Sequence, residues 1–477
     1  MPSPLGVGLV YVPGLEPLFE TGTQLVDVLE LEPQTQWRRD TSTQTPYHHR
    51  KEFLSYLAGL PQRKILHGVG FPVGGSRPPD PRQIPLFVET VDTLDAIWAS
   101  EHLAFNQANG PNGLYQTGFF LPPLQSPQGV ACAVASINSV QSHLPVPFAI
   151  ETGTNYLKPM KNEINDGNFV NEVANKANCG ILLDLHNIWA NELNGRQSVS
   201  QYLEQLPLDR VWELHFAGGF KHRGYWLDAH SGAIPDAVLD IATDLIPKLP
   251  NLGAVIFELM PSFLPQFGLD RIINELEKLH SLWALRSENT KLAAAAENPL
   301  QQNTSLLPNL PHETTISPAQ WEDKLGALVT CGEARNDQAD LLSADPAIGL
   351  LKELIRNFRA GALTQSLRLT IRFLFLSMGE EHFQRYLSEY FKAVPPQPFA
   401  GDEAISFAHY LRKQKPLMPT LLDVVGYELA AIEVTVSGKP REVSFSTEPL
   451  SLLSALEEGI LPELSTTKQQ FLVTITP

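Results

Sequence analysis

The sequence predicts a (β/α)8 TIM barrel followed by a mostly helical C-terminal domain with a small β element. Eight short apolar runs alternate with amphipathic stretches across residues 1–289. Polar groups capable of catalysis or metal ligation recur at the ends of those runs. Residues 290–320 then break the pattern, with an Ala run followed by Pro, Asn, Gln and Thr, and read as a linker before a domain at 321–477.

The runs are GVGLVYV (6–12), LVDVLELE (25–32), RKILHGVG (63–70), AIWASEHL (96–103), PVPFAIETG (145–153), CGILLDLHN (179–187), RVWELHF (210–216) and GAVIFELM (253–260). Each has the length and the β-branched or aromatic content of a buried strand. Between them, NFVNEVANKA (168–177) places Phe169, Val170, Val173, Ala174 and Ala177 on one helical face. An open doubly wound sheet is the alternative. Gly6 and Gly8 lie inside the first run and lack a third glycine, so a dinucleotide fingerprint is disfavoured. In the C-terminal domain, IGLLKELIRNF puts Ile348, Leu351, Leu354, Ile355 and Phe358 on one face, and VTVSGKPREVSF (434–445) reads as a hairpin turning at Ser437-Gly438.

Net charge is −17 over 477 residues, which disfavours sequence-independent binding to nucleic acid. The three cysteines, Cys132, Cys179 and Cys331, form neither a Cys-x-x-Cys pair nor a disulfide framework, and a reducing cytoplasm is expected. Cys179 opens a buried run and is expected to be core. The N-terminus lacks a basic region and a signal-peptide apolar run, and no stretch has the length of a membrane span.

Taken in order, the run ends offer His67, His102, Glu151, Asp184 with Asn187, His215 and Glu258, and the loop after the seventh run adds Asp228 and His230. A lone strand-end histidine is more often a hydrogen-bonded structural group than a ligand. Carboxylates as deep as Glu151, after VPFAI, and Glu258, after AVIF, are costly unless paired or bound to metal. Convergence of all these groups on one barrel mouth points to a polynuclear metal site. Imidazole and carboxylate ligands suit Fe, Mn and Zn alike. His186 is expected to point away from Asp184 and Asn187 if the stretch stays extended, and to serve packing. His222 and Arg223, in the loop that carries Asp228 and His230, are the candidates for substrate contact or catalysis.

The motifs LHGVG, SEHLAF, LLDLHN, ELHFAGG with LDAH, and FELMP together resemble the multinuclear non-haem iron-dependent oxidative enzymes, a family that includes the methanobactin-biosynthesis oxidase. The resemblance covers about residues 5–285. It implies a barrel of the xylose-isomerase-like type and two or three iron ions, mixed Fe2+/Fe3+, held by His67, His102, Glu151, Asp184, Asn187, His215, Asp228, His230 and Glu258. It further implies molecular oxygen as co-substrate and a cysteine-containing, ribosomally made precursor peptide as substrate. The chain departs from the family after the first run, at Glu151-Thr152 and at the end of the second run, in the shell facing substrate. HFQRYLSEYFKAVPPQPF and PTLLDVVGYELAAIE resemble the partner protein of these oxidases, here fused in cis. The rival readings are a zinc phosphodiesterase or endonuclease, a sugar isomerase, and a peptide-binding scaffold without catalysis.

Overall fold

The computed structural model describes residues 3–20, 25–40, 45–286, 316–330, 342–414, 419–461 and 470–476. The chain divides into two units. One comprises 1–37, 49–106 and 120–322; the other comprises 38–48, 107–119 and 323–477, so it draws in two segments from the N-terminal half of the sequence. Most of the stretch read as a linker, up to 315, lies outside the described residues, as does Cys331. Its last residues are helical, within Pro318–Thr330.

All eight predicted runs form strands: β1 (Gly6–Val10), β2 (Val28–Leu31), β3 (Arg63–Gly68), β4 (Ala99–His102), β5 (Phe148–Glu151), β6 (Gly180–Asp184), β7 (Val211–Ala217) and β8 (Ala254–Glu258). Each pairs in parallel with its sequence neighbours, and β8 closes on β1. The result is the predicted barrel, with helices in the crossovers. The glycines of the first run let β2 approach β1 closely. A Cβ on Gly8 would collide with the Val28 carbonyl oxygen, and Gly6 sits at φ +129°.

Val10, Val28, Ile65, Trp98, Ala254 and Ile256 pack together as an apolar cluster contributed by the barrel strands and the approach to β4. Period-two alternation carries polar side chains to the same side two positions beyond Val28, Ile65, Trp98 and Ile256: Glu30, His67, Ser100 and Glu258. The 166–177 helix buries Phe169, Val170, Val173, Ala174 and Ala177, as its spacing predicts. Cys179 is a buried core thiol, which burial pushes up to about 12.

The second unit is mostly helical. Its helices Ala347–Ser366, Arg368–Ala393, Ala400–Lys413, Pro419–Ser437 and Pro449–Glu457 gather around Phe373, Tyr390, Phe407, Val424 and Phe445. Two expectations fail here. Phe358 is 54% exposed, and Arg359, one residue on, takes the buried place. The hairpin at 434–445 does not form. Ser437 ends a helix, and Gly438, at φ +64°, donates its N–H to the Val434 carbonyl as a helix terminator. Arg441–Phe445 instead pairs antiparallel with Phe471–Ile475. A Ser-Gly pair suits both a tight turn and a helix end, and only tertiary pairing distinguishes the two. No helix among the described residues is long and apolar enough to cross a membrane.

Candidate metal centre

Strand register brings the predicted groups together. His102 on β4 lies opposite Glu151 on β5, and Asp184 on β6 lies opposite His215 on β7. Three convergent sets result, each with ligand atoms within 4.8 Å of one another: His67–His102–Glu151, Glu151–Asp184–His215 and Asp184–Asp228–His230. Glu151 is common to the first two sets and Asp184 to the last two. Shared carboxylates are what adjacent cations require as bridges.

Glu151 Oε2 is 3.1 Å from His67 Nε2 and 2.8 Å from His102 Nε2. Glu258 reaches His215 Nδ1 at 3.2 Å and His230 Nε2 at 3.4 Å, so it joins the middle and third sets. Asp184 caps the Leu185–Leu193 helix: its Oδ1 accepts the Asn187 N–H at 2.8 Å. The side chains of His67, Glu151, His215 and Glu258 are 0–6% exposed, whereas those of His102, Asp228 and His230 are 18–23% exposed. The middle set is therefore sealed, and the two outer sets open to solvent.

The remaining predicted residues are placed differently. Asn187 lies in the first turn of a helix, not in a strand. Its amide nitrogen donates to the Thr152 carbonyl at 3.2 Å and its amide oxygen accepts the Thr154 hydroxyl, which ties down the loop after β5. His186 shares that helical turn, so the alternation argument does not apply to it. Its Nε2 accepts the Trp226 indole N–H at 2.9 Å, leaving Nδ1 to donate to Asp228 Oδ1 at 3.1 Å. It orients Asp228 rather than merely filling space. His222 and Arg223 stand at the turn of a two-stranded ribbon, Phe220–His222 with Tyr225–Leu227, whose root leads into Asp228. Neither belongs to the convergent sets.

Sequence reasoning missed four carboxylates. Glu30 and Glu213 are fully buried inside the barrel and form a further set with His215; Glu101 is fully buried behind His102. Half-buried Glu32 is raised by burial, while the charges of His67, His102 and His230 oppose that shift. Glu30, Glu101 and Glu213 sit one or two positions before the strand ends inspected; following each strand's alternation inward would have found Glu30 and Glu213.

Electrostatics fit a cation site. Burial raises Asp184 well above the usual carboxylate range, reinforced by Asp228, Glu258 and Glu151. Burial alone would depress the histidines. Glu151 nevertheless holds His102, Glu258 holds His215, and Asp228 holds His230 well above the ordinary imidazole value. Glu151 Oε2, Asp184 Oδ2, His215 Nδ1, His230 Nε2 and Glu258 Oε2 are buried without an oriented hydrogen bond. Such atoms are costly unless a metal takes them. The donors are nitrogen and oxygen only, and they fit two or three divalent or trivalent ions.

The carboxylates that raise these histidines favour their protonated forms, so an incoming cation competes with protons for them. Metal uptake is expected to release protons, and apparent affinity to rise with pH through and above the ordinary imidazole range. Calorimetric titration in buffers of different ionisation heat checks this; a flat affinity with no proton release contradicts it.

A parallel barrel whose carboxyl mouth gathers clustered imidazoles and carboxylates is built as a metal-dependent barrel enzyme is built. The chain belongs to the RiPP precursor modification enzyme family MbnB/TglH/ChrH, whose sequence model matches residues 30–283. A UPF0276 protein of Streptomyces avermitilis is 26% identical over 258 residues, covering 54% of this chain and 53% of that one. The chain thus spans about half the length of that relative. A UPF0276 protein of Neisseria meningitidis serogroup C is 31% identical over 218 residues, covering 45% of this chain and 75% of that one. Among solved structures, the zinc-bound IOLI protein aligns at 14% identity and TM-score 0.37, covering 59% of this chain and 99% of that one. A xylose isomerase-like TIM barrel protein from Mycobacterium smegmatis, in complex with magnesium, aligns at 13% identity and TM-score 0.33, covering 57% and 86%.

Proposed function

We propose that this chain carries out an iron- and oxygen-dependent oxidative modification of a ribosomally made precursor peptide, at a cysteine. One observation carries the reading: three ligand sets joined by two shared carboxylates, Glu151 and Asp184, in a chain of a peptide-modifying family. Bound there, two or three irons in mixed Fe2+/Fe3+ states would supply the redox chemistry and favour the thiolate of a coordinated cysteine.

The protein's own residues do the rest. Glu151 and Asp184 would each be shared between two neighbouring ions. The sealed middle set keeps water from the centre, and the exposed edges of His102, Asp228 and His230 leave room for a peptide. His222, half-buried, and Arg223, exposed, stand at the turn of their ribbon, where a peptide backbone or carboxylate would meet them. The helices of the second unit, from Ala347 on, lie beyond the matched residues. The unit's proposed role is to hold the precursor, a partner function supplied in cis.

Anaerobically purified protein should be loaded with iron and incubated in air with a cysteine-containing precursor peptide. A change in peptide mass is expected with iron and oxygen together, and none with zinc or without oxygen. Turnover by the zinc form, or retention of zinc alone after expression in iron-rich medium, contradicts the proposal.

A further inference from the structure

Two indoles lead away from the third cation set. Trp226 precedes Asp228 by two positions, and Trp189 lies about one turn beyond His186 on the Leu185–Leu193 helix. Their rings pack edge to face with centroids 4.8 Å apart. The Trp226 indole N–H donates to His186 Nε2 at 2.9 Å. His186 is fully buried, and its Nδ1 lies 3.1 Å from Asp228 Oδ1. That oxygen is 2.8 Å from His230 Nε2, and both residues belong to the set completed by Asp184. Unbroken contacts therefore join the metal mouth to Trp226 and then to Trp189, both half-buried.

The path is held in place. Asn194, at the end of the same helix, accepts the Trp226 backbone N–H at 2.8 Å and donates to the Trp226 carbonyl at 3.0 Å. His186 and Trp189 are neighbours on one helical face, with ring centroids 6.1 Å apart. Phenylalanine would supply similar packing at either indole. Indole differs in giving up an electron readily, and a hydrogen-bonded aromatic bridge carries an electron better than aliphatic packing does.

We propose that Trp226 and Trp189 form a one-electron relay between the metal centre and the protein surface. Its use rests on the oxygen-dependent reading; the connection itself requires only a redox-active ion at Asp184, Asp228 and His230. A centre that oxygen has oxidised with no peptide bound is an oxidant without a substrate, and a protein must divert it from its own side chains. Trp226 gives the centre one electron, so one ion is reduced by one unit and the indole becomes a radical cation. Trp189 refills Trp226. A thiolate in solution refills Trp189 and leaves as a thiyl radical. The net change is one electron from thiolate to metal, and no bond forms or breaks in the protein.

The test uses full-length protein loaded anaerobically with Fe2+, and with zinc as the redox-silent form. A laser flash on a ruthenium sensitiser with an electron acceptor generates indole radicals. Their visible absorbance is followed in time, and Fe3+ is followed by EPR. In the parent, the radical is expected to decay faster with iron than with zinc, and Fe3+ to rise as it decays. Trp226→Phe keeps an aromatic ring and should lose this iron-dependent decay. Trp189→Phe leaves the contacts of Trp226, His186 and Asp228 in place, which guards against a mere loss of metal, and should lower the Fe3+ yield. Trp283→Phe, on the Leu269–Trp283 helix, is the control and should behave as the parent. Equal decay with iron and zinc in the parent would overturn the proposal. So would parent-like iron-dependent decay and Fe3+ yield in either relay variant. Intact flash results with no peptide modification in air would count against the oxidase reading alone.

Discussion

Glu151→Ala is expected to empty two of the three cation sets at once. Glu151 ends β5, is almost fully buried, and uses Oε2 towards both His67 and His102 while Oε1 faces His215 at 3.9 Å. Glu30 and Glu101 approach the Nδ1 edges of the two rings, and Glu32 acts on both rings through charge. Elemental analysis should show about two equivalents fewer than the parent, because a bridging ligand serves two ions. Peptide modification should fall about a thousandfold or more, since metal chemistry supplies several kcal/mol of the catalytic effect and each 1.4 kcal/mol is tenfold.

The metal-free variant should also be less stable. His67 and His102 would lose the carboxylate that pairs with their charged forms, and breaking a buried pair costs about 3–5 kcal/mol. His230→Ala is the control. It touches only the outer set with Asp184 and Asp228, and it should cost about one equivalent. Equal metal loss in the two variants would contradict a centre bridged through Glu151.

Arg359→Ala should cost the C-terminal unit about 3–5 kcal/mol, the usual penalty for orphaning a buried charge. Arg359 is 3% exposed and Glu403 is 1% exposed. The guanidinium meets Glu403 through Nε and Nη2, both at 2.8 Å, and donates from Nη1 to the Phe391 carbonyl at 3.2 Å. It also stacks over Tyr390 at 5.0 Å and Phe391 at 4.6 Å. Removing both charges in Arg359→Met with Glu403→Leu should recover most of the loss, because a well-packed apolar pair replaces a buried ion pair at little cost.

All seven tryptophans lie in the barrel unit, so their fluorescence reports that unit, whereas helical ellipticity reports both. In Arg359→Ala the ellipticity midpoint should fall below the fluorescence midpoint. Unchanged ellipticity would mean that Glu403 finds another partner.

The same helix shows where sequence reading stops. Helical spacing put Phe358 on one face with Ile348, Leu351 and Ile355, and those three are buried. One position later the periodicity is overruled. An arginine with a carboxylate, a carbonyl and two aromatic rings around it occupies the inside, and those partners come from other helices. Spacing alone cannot reveal them. The Ser437-Gly438 pair misleads for a related reason, since its helix-ending and turn-forming uses differ only in what lies beyond it.

The barrel was legible because each strand is a local object, a short apolar run bounded by polar residues, and eight of them in alternation admit few topologies. The convergent mouth was legible because strand ends in such a barrel point to one place. What lay behind the mouth was not. Glu30 and Ser100 meet the ligand histidines only through register between different strands, Glu101 and Glu213 lie beside His102 and His215 on the same strand, and His186 meets Asp228 across 42 residues.

The sequence by itself determined the barrel and the residues gathered at its carboxyl end. Only the tertiary structure decided which carboxylates are shared between neighbouring sets, which edge stays open, and which nitrogen of each ring faces the centre. The reason is physical. A side chain's type is set by its own position, but the direction of its lone pairs is set by hydrogen-bond partners that other strands supply.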